Sequence, residues 1–437
     1  MYFTVEPSAL KSGKVTVPGD KSISHRALML GAIAQGRTRI RGFLNGDDCL
    51  ATLAALRDMG VTIEQLSDTD LIIEGCGSTG LQPAPAPLDM GNSGTAMRLF
   101  AGLLAGQPFS SMLVGDESLS QRPMDRVIKP LTEMGAKIDS VDGKPPLEIF
   151  GGKLLSGITC RLPVASAQVK SAILLAGLSA DKETSIVEPA ITRDHTERML
   201  RSMGVELSVV EKQIIMPGKQ LLQGTEIEVP ADFSSAAFIV LAVLLAPECE
   251  VVITNVGVNP TRTGALDILR DMGADIEVDN VRLSGEEPVA DIIVRSSDLT
   301  GIDVDPARVS LAIDEFPILF VAAACARGKT TFSGIGELRV KESDRIGVMA
   351  EGLRQLGATV DETDDGAVVH GAMLSGGRIR SHGDHRIAMA FAVAGTVAKW
   401  PVRIDDTHTV STSFPGFVNC LRGLGINIAR YHEESAS

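Results

Sequence analysis

Basic side chains stand just before several apolar segments of the sequence, where they could bind anions. Lys21, Ser22 and Arg26 stand at the start of the apolar run 27–34. If that run is a helix, its first N–H groups carry partial positive charge and hold anions well. Lysine and arginine beside such an end predict a phosphate site, although a serine alone is also typical of a helix cap.

Lys341 and Arg345 form a second basic pair, in the segment Lys-Glu-Ser-Asp-Arg. Their spacing of four predicts that both lie on one face of a helix that this segment opens. Further candidate residues stand in comparable loops: Gly94, Arg122, Ser166, Gln168, Arg193, Asp314 and Arg386. Arginine binds phosphate and carboxylate through two parallel hydrogen bonds. Two basic clusters predict two anionic ligands or one large one, whereas a solvated helix face is the alternative for 341–345 alone.

The titratable candidates in these segments predict acid–base chemistry between anions. They are Asp314, Glu342, Lys21 and His385. His382 and His385 lie three apart, but no third ligand has helical spacing, so we expect no metal site. The sequence contains neither a glycine-rich nucleotide loop nor a Gly-x-Ser-x-Gly nucleophile motif.

The composition favours a soluble protein that acts on small molecules. A net charge of −14 argues against nucleic acid and acidic membranes as partners. The longest apolar run, 236–246, is too short to span a bilayer. Six scattered cysteines indicate a reducing compartment, and no signal or transit peptide is recognisable. We expect a cytoplasmic protein, a monomer of two or three domains.

One short phrase, Leu-x-x-Met-Gly or Leu-x-x-Leu-Gly, recurs six times. It ends at Gly60, Gly135, Gly204, Gly273, Gly357 and Gly425. Glycine suits the left-handed residue that ends a helix, and the alternating apolar run after it suits a strand. About 30 residues before each phrase lies a segment of small apolar residues, typical of a helix buried on most faces. Each unit of roughly 70 residues therefore predicts a buried helix, a strand, a second helix and two strands.

These repeats predict an α/β fold with helices inside and sheets outside, a two-domain inside-out α/β barrel. A Val-Pro-x-Asp pattern stands before the first unit at 17–20 and before the fourth at 229–232, and it marks chain crossings. We predict an N-terminal domain at 20–229 and a C-terminal domain at 1–19 plus 230–437, in which 1–19 adds a strand. Candidate residues come from both halves, so we expect the active site in the cleft between the domains. A solenoid of six modules is the alternative.

The motifs together resemble those of the 5-enolpyruvylshikimate-3-phosphate synthase family, in order along essentially the whole chain. They are Lys21-Ser22-x-Ser-x-Arg26, Gly91-Asn92-Ser-Gly94-Thr95, Arg122-Pro, Ser166-Ala-Gln168, Asp314-Glu315, Val340-Lys341-Glu342-Ser-Asp344-Arg345, Asp384-His385-Arg386 and Ser413-Phe-Pro. The family fold has two domains, each of three βαβαββ repeats. The resemblance implies transfer of the enolpyruvyl group of phosphoenolpyruvate to the 5-hydroxyl of shikimate 3-phosphate, a step of aromatic amino acid biosynthesis, without a cofactor.

The resemblance also implies a role for each matching residue. Asp314 would be the base for the attacking hydroxyl, and Glu342 with Lys21 would protonate the methylene carbon. The shikimate 3-phosphate site would comprise Lys21, Ser22, Arg26, Ser166, Ala167, Gln168, Arg193, Asp314 and Lys341. The phosphoenolpyruvate site would comprise Lys21, Gly94, Arg122, Gln168, Lys341, Arg345 and Arg386.

Two positions depart from the family pattern. Thr412 stands where many members have lysine, and Ala167 replaces a second serine that some members use for the acceptor phosphate. These departures and the Thr192-Arg193-Asp194-His195 segment resemble the branch that is often less sensitive to glyphosate. Gly94, however, leaves space that favours this inhibitor of the family.

Two other functions remain as alternatives. UDP-N-acetylglucosamine enolpyruvyl transferase shares the fold and the donor, but the segment Gly115–Arg122 lacks the cysteine expected there. A non-catalytic protein that binds phosphorylated ligands would need the basic clusters but neither Asp314 nor Glu342.

Overall fold

The computed structural model describes residues 1–432, and its contacts divide the chain into two compact units. Unit N consists of Gly19–Val229 and the short segment Leu283–Glu287. Unit C consists of Met1–Pro18, Pro230–Arg282 and the chain from Pro288 onward. Each unit has its own hydrophobic core. Helices and strands are numbered below in chain order.

The six segments of small apolar residues all form helices that are buried on nearly every face. They are α1 (Lys21–Ile33), α3 (Gly94–Ala105), α5 (Ala167–Gly177), α7 (Phe233–Leu245), α10 (Phe316–Cys325) and α12 (His385–Val397). Small side chains let these helices approach closely: a Cβ on Gly102 of α3 would lie 2.1 Å from the carbonyl oxygen of Ala172 on α5. Burial on all faces follows from the absence of a polar stripe.

A second helix in each repeat leads to the Leu-x-x-Met-Gly or Leu-x-x-Leu-Gly phrase. These helices are α2 (Asp47–Asp58), α4 (Asp125–Glu133), α6 (His195–Ser202), α8 (Gly264–Asp271), α11 (Arg345–Gln355) and α13 (Phe417–Gly423). A short helix, α9 (Val309–Ala312), precedes α10. All six phrase glycines have positive φ, between 83° and 103°. Glycine adopts this left-handed conformation without steric cost, so the predicted helix ends are confirmed.

Three four-stranded sheets belong to unit N. Their strands are β3 (Gln35–Arg41), β4 (Thr62–Gln65), β5 (Asp70–Cys76), β6 (Leu88–Asp89), β7 (Ser111–Val114), β8 (Lys137–Val141), β9 (Lys144–Phe150), β10 (Thr159–Arg161), β11 (Thr184–Val187), β12 (Ser208–Val210), β13 (Gln213–Met216) and β14 (Glu226–Glu228). The sheet orders are β14-β3-β5-β4, β6-β7-β9-β8 and β10-β11-β13-β12. The first strand of each order pairs in parallel with the second, and the remaining pairs are antiparallel.

Unit C contains two four-stranded sheets and one three-stranded sheet. Its strands are β1 (Tyr2–Val5), β2 (Gly13–Val15), β15 (Glu250–Gly257), β16 (Asp275–Ser284), β17 (Glu287–Arg295), β18 (Lys329–Ser333), β19 (Thr359–Thr363), β20 (Gly366–His370), β21 (Gly377–Arg380), β22 (Val402–Asp405) and β23 (Ile428–Tyr431). The sheet orders are β16-β17-β15-β2, β18-β20-β19 and β21-β22-β1-β23. Residues 1–18 thus supply two strands, and β1 lies between β22 and β23.

Several strands, such as β1, β5 and β9, alternate buried and more exposed residues, as expected for a sheet with one face towards the helices. In β5, the side chains of Leu71 and Ile73 are fully buried, whereas that of Glu74 is exposed. Buried helices with sheets around them confirm the α/β fold class predicted from the repeats. No helix within residues 1–432 is long and apolar enough to cross a membrane.

Candidate active site

The first turn of α1 holds a lysine against a carboxylate. Asp20 caps the helix by accepting a hydrogen bond from the backbone N–H of Ile23 at 2.8 Å. Lys21 Nζ lies 2.9 Å from the carboxylate of Asp48, on α2, and both side chains are mostly buried. The helix N-terminus, Lys21 and the partly exposed Ser22 together form a surface that favours an anion.

Arg26 lies one turn further along α1 and is almost fully buried. Its guanidinium donates to Thr196 Oγ1 at 2.7 Å, to Ser171 Oγ at 2.8 Å and to the carbonyl of Ser22 at 2.9 Å. Burial lowers the pKa of Arg26 to about 10, and Glu197 opposes that shift. Arg26 is therefore charged at neutral pH, and its orientation is set by hydroxyl groups of two other helices.

His25, beside Arg26, is buried close to two cationic side chains. Its ring is fully buried, with Nδ1 2.8 Å from Thr52 Oγ1. Burial, and then the charges of Lys21 and Arg26, lower the pKa of His25 from 6.5 to about 3.

We expect the His25 imidazole to remain neutral down to about pH 4. Below pH 6.5 the unfolded chain takes up a proton that the folded protein excludes, so folding stability should fall as the pH drops from 6.5 towards 3. Nitrogen-15 NMR of histidine-labelled protein between pH 8 and pH 4 measures the ionisation, and the His25→Asn variant identifies the resonance. A His25 signal that titrates near pH 6.5 would contradict the expectation.

The N-terminus of α3 faces two arginines. Ser93 caps the helix, and a Cβ added to Gly94 would lie 2.9 Å from Arg98 Nη1 and 3.2 Å from Arg122 Nη1. Arg122 is buried and donates to the side chain of Asn92 at 2.7 Å. A side chain at position 94 would therefore press against both guanidinium groups.

Gln168 connects α5 to this pair of arginines. Its Oε1 accepts a hydrogen bond from Arg98 Nη1 at 2.7 Å, and its Nε2 donates to Thr95 Oγ1 at 2.9 Å. The sequence motifs led us to assign Arg98 to neither substrate site, although it lies in the same polar segment as Gly94. The spacing of four between Gly94 and Arg98, one helical turn, was the signal that could have indicated it.

The N-terminus of α5 carries the other residues predicted to bind the acceptor phosphate. Ser166 caps the helix and accepts from the backbone N–H of Val169 at 3.4 Å, so its hydroxyl proton can still be donated to an anion. Ala167 follows it as the first helical residue, without a hydroxyl. Arg193 is partly exposed, in the loop before α6. The structure places the predicted residues of unit N at the starts of α1, α3 and α5 and in the loops that precede α4 and α6.

In unit C, Arg345 lies among three carboxylates. Its side chain is 1% exposed, and it donates to Asp384 at 2.8 Å and to Glu342 at 2.6 Å. Arg345 Nη1 lies 3.5 Å from Asp314 Oδ1. Burial lowers the pKa of Arg345, but Asp384, Glu342 and Asp314 outweigh burial and raise it. This arginine is thus permanently cationic and holds both predicted catalytic carboxylates.

The prediction that Lys341 and Arg345 share a helix face is wrong. Asp344 caps α11 by accepting from the N–H of Gly347 at 3.0 Å, so the helix begins at Arg345. Lys341 instead ends a 3-10 helix, Gly336–Val340, with ψ at −147°. The helix begins at Arg345 because Asp344, the fourth residue of the segment, is its cap. Burial lowers the pKa of Lys341, with Asp314 opposing that shift.

Arg386, at the start of α12, lies against the Asp314–Glu315 pair. Its Nη1 donates to the carbonyl of Asp314 at 3.0 Å, and Nη2 lies 3.9 Å from that residue's carboxylate. The buried Glu315 carboxylate is 3.6 Å from Arg386 Nη1 and 3.7 Å from Arg262 Nη2. Asp314 is partly exposed, whereas Glu315 is buried among its partners. Of the two neighbouring carboxylates, Asp314 is the one that a substrate can reach.

Thr412, which the resemblance aligns with a lysine of many family members, lies in a 3-10 helix formed by Thr407–Thr412. Its hydroxyl donates to the carbonyl of Thr409 at 2.7 Å, and the residue is 8% exposed. The hydroxyl proton is used within its own turn, so Thr412 does not reproduce what a lysine would offer an anion. Within residues 1–432, no group of three or more histidine, cysteine, aspartate or glutamate side chains has the arrangement of a metal site.

Comparison with known proteins decides the family. The model of the family EPSP synthase (3-phosphoshikimate 1-carboxyvinyltransferase) matches residues 5–421. The chain belongs to the EPSP synthase family. A 3-phosphoshikimate 1-carboxyvinyltransferase of Alkalilimnicola ehrlichii is 55% identical over 98% of this chain and 97% of the relative. One of Coxiella burnetii is 52% identical over 98% of both chains.

A solved structure shares the fold at nearly full length. EPSP synthase from Acinetobacter baumannii is 50% identical, with a TM-score of 0.87 over 98% of this chain and 100% of the other. The resemblance derived from the sequence motifs is thereby confirmed, as is the two-domain α/β fold of the EPSP synthase family.

Proposed function

We propose that this protein transfers the enolpyruvyl group of phosphoenolpyruvate to the 5-hydroxyl of shikimate 3-phosphate and releases phosphate. Full-length membership of the EPSP synthase family supports the reaction. The observation that carries the mechanism is the arrangement of Asp314 and Glu342, each within 3.5 Å of the buried Arg345. A protein that only binds phosphorylated ligands has no need of two carboxylates among its cations.

We assign the acceptor to unit N and the negative groups of the donor to cations of both units. Shikimate 3-phosphate would bind at the N-termini of α1 and α5, through Ser22, Arg26, Ser166 and Arg193. Arg122 in unit N, and Arg345 and Arg386 in unit C, would hold the carboxylate and phosphate of phosphoenolpyruvate. Arginine suits both groups because its N–H groups match pairs of oxygen atoms. One active site is thus proposed to take residues from both units.

The addition step needs a base at oxygen and an acid at carbon. Asp314 takes the proton of the 5-hydroxyl while the oxygen of that hydroxyl forms a bond to C2 of phosphoenolpyruvate. Glu342, assisted by Lys21, delivers a proton to C3, which turns the methylene into a methyl group. The product of this step is a tetrahedral intermediate that carries both the phosphate and the shikimate ether.

Elimination reverses these proton transfers. Glu342 takes a proton back from the methyl group, the C2–O bond to phosphate breaks, and Asp314 returns its proton to the leaving phosphate. Arg345 and Arg386 stabilise the charge that develops on phosphate and carboxylate, and preorganised cations are well suited to this task. Atoms and charge balance without a redox group, which is why we propose no cofactor.

Six free cysteines and a net charge of −14 support a cytoplasmic enzyme whose partners are its small substrates. We propose that it acts as a monomer. Light scattering across a tenfold concentration range measures the mass directly.

A phosphate-release assay tests the function. Purified protein is mixed with phosphoenolpyruvate and either shikimate 3-phosphate or UDP-N-acetylglucosamine, and inorganic phosphate is measured. We expect release only with shikimate 3-phosphate. Release only with the nucleotide sugar would indicate the sister transferase, and binding without release would indicate a phospholigand-binding protein.

Replacing Gly94 with alanine should weaken donor binding. The new Cβ must displace the guanidinium groups of Arg98 and Arg122, which it would approach to 2.9 and 3.2 Å. Loss of one charged hydrogen bond predicts a rise of about tenfold in KM for phosphoenolpyruvate, with a smaller change for the acceptor.

Steady-state kinetics with each substrate varied in turn measures this change. Gly423→Ala is the matched control, because a Cβ at the end of α13 meets nothing within 4 Å. An unchanged KM for phosphoenolpyruvate in Gly94→Ala would remove Gly94 from the donor site.

A further inference from the structure

Successive residues in the first turn of α6 contact different parts of unit N. α6 has eight residues, and Asp194 before it makes no side-chain cap hydrogen bond. Helices this short are marginally stable by themselves, so contacts from outside must determine where α6 lies. His195, Thr196, Glu197 and Arg198 each make such a contact.

Thr196 and Glu197 link α6 to the proposed acceptor site. Thr196 Oγ1 accepts from Arg26 at 2.7 Å and is 2.7 Å from Ser171 Oγ, which also accepts from Arg26. Glu197 Oε1 lies 2.8 Å from the Nζ of Lys170, on α5. Lys170 and Glu197 are both fully buried. A shift of the first turn of α6 would therefore move the hydroxyl group that orients Arg26.

The other side of this turn is held by a segment that is distant in sequence. Leu283–Glu287 belong to unit N by their contacts, although they follow β14 by more than fifty residues. Glu287 Oε1 lies 2.8 Å from Nδ1 of His195, and both residues are buried. Arg198 donates to the carbonyl of Glu286 at 2.7 Å. The repeats gave no indication of this contact.

The His195–Glu287 contact is well placed to fix the turn. Nε2 of His195 is buried and has no hydrogen-bond partner within residues 1–432, so the bond from Nδ1 orients the ring. The negative charges of Glu197 and Glu287 also act on Arg26, where they oppose the lowering of its pKa by burial. The bond from Glu287 therefore fixes His195, and the next residue, Thr196, contacts Arg26.

We propose that Glu287 is a positioning residue for binding of the acceptor phosphate: through His195 it fixes the first turn of α6, and Thr196 then orients Arg26. This role rests on the proposed function, which assigns Arg26 to shikimate 3-phosphate. Glu287 does not touch the substrate, and its contribution is to the affinity for the acceptor rather than to the proton transfers.

Three substitutions at Glu287 test the role. Glu287→Ala removes the hydrogen bond, Glu287→Gln keeps an acceptor oxygen for His195, and Glu287→Asp keeps the charge on a shorter side chain. Glu286→Ala is the control on the same segment, because it removes only the half-exposed ion pair with Arg201. Each variant is measured for kcat, for KM of both substrates, and for binding of shikimate 3-phosphate by calorimetry.

Glu287→Ala should bind shikimate 3-phosphate about tenfold more weakly, as expected for one lost buried hydrogen bond. We expect its kcat and its KM for phosphoenolpyruvate to change less than threefold. Glu287→Asp should show a weaker form of the same defect, which keeps the test independent of whether the alanine variant folds. Glu287→Gln and Glu286→Ala should match the wild type.

Two results would overturn the positioning role. One is unchanged acceptor affinity in both Glu287→Ala and Glu287→Asp; the other is a parallel loss in both substrates and in kcat, which indicates a general structural role. A wild-type protein without turnover would count against the proposed function instead. Calorimetry with shikimate 3-phosphate still decides the role of Glu287 in that case.

Discussion

Replacing Asp314 with alanine is expected to lower turnover by about 10²- to 10⁴-fold, the usual contribution of a positioned general base. KM for both substrates should stay within a few fold of the wild type or fall. The carboxylate lies 3.5 Å from Arg345 and 3.9 Å from Arg386, so its removal leaves two cations less neutralised. Negatively charged substrates then bind at least as well, while the proton of the 5-hydroxyl has no acceptor.

Glu342→Ala should show the same separation between turnover and affinity, and Glu342→Gln refines it. Glutamine keeps an oxygen that can accept from Arg345, at the position now 2.6 Å away, but it has no proton to deliver. In heavy water, the wild type should wash deuterium into the methylene of phosphoenolpyruvate through reversible addition. Glu342→Gln should not.

Asp298→Ala is the control for both catalytic substitutions. It removes a carboxylate of unit C that forms an exposed ion pair with Arg327, and its kinetics should match the wild type. Unchanged turnover in the alanine variants of Asp314 and Glu342 would remove both residues from the mechanism.

Asp384→Ala is expected to have the largest effect on stability, a loss of about 3–5 kcal/mol. The Asp384 carboxylate is fully buried, accepts from Arg345 at 2.8 Å and from Ser343 at 3.1 Å, and caps α12 through the N–H of Arg386. Its removal leaves a buried guanidinium with less compensating charge, which costs far more than the loss of an exposed ion pair.

Asp344→Ala separates the cost of the cap from the cost of the buried charge. Asp344 also caps a helix and pairs with an arginine, Arg339 at 2.6 Å, but this pair is partly exposed. We expect the Asp344→Ala variant to lose about 1 kcal/mol of its free energy of unfolding. Thermal unfolding should show a fall in Tm of roughly 10 °C for Asp384→Ala and a few degrees for Asp344→Ala. Equal shifts would show that burial of the pair is unimportant.

The repeat pattern predicted the fold because its signals arise from residues that are close to each other in sequence. Gly60 and its five counterparts end helices through a backbone conformation that glycine alone adopts easily, and small apolar side chains identify helices buried on all sides. Both signals lie within a few residues of the element they predict. The start of α11 was misplaced because the spacing of Lys341 and Arg345 does not indicate which residue caps the helix, and Asp344 does so.

The sequence indicated which residues belong to the candidate site, but not which side chains each of them contacts. Lys21 pairs with Asp48 on another helix, and Gln168 bonds to Arg98 about 70 residues away in sequence. Such pairs depend on how the helices pack against each other, and no periodicity in a single sequence indicates that packing. Glu287 is a further case, since it lies 92 positions from the histidine that it contacts.

The position of β1 has a consequence for the order in which the protein folds. Its residues Tyr2–Val5 pair with Ile428–Tyr431 on one side and Val402–Asp405 on the other, and both partners are synthesised much later. At about 5–20 residues per second, synthesis separates these strands by roughly 20–80 s. The sheet β21-β22-β1-β23 of unit C can be completed only after Tyr431 has been synthesised, well after the elements of unit N in Gly19–Val229 have emerged. Nascent chains stalled near residue 300 should therefore carry Tyr2–Val5 as an apolar strand without its partners, a natural binding site for chaperones.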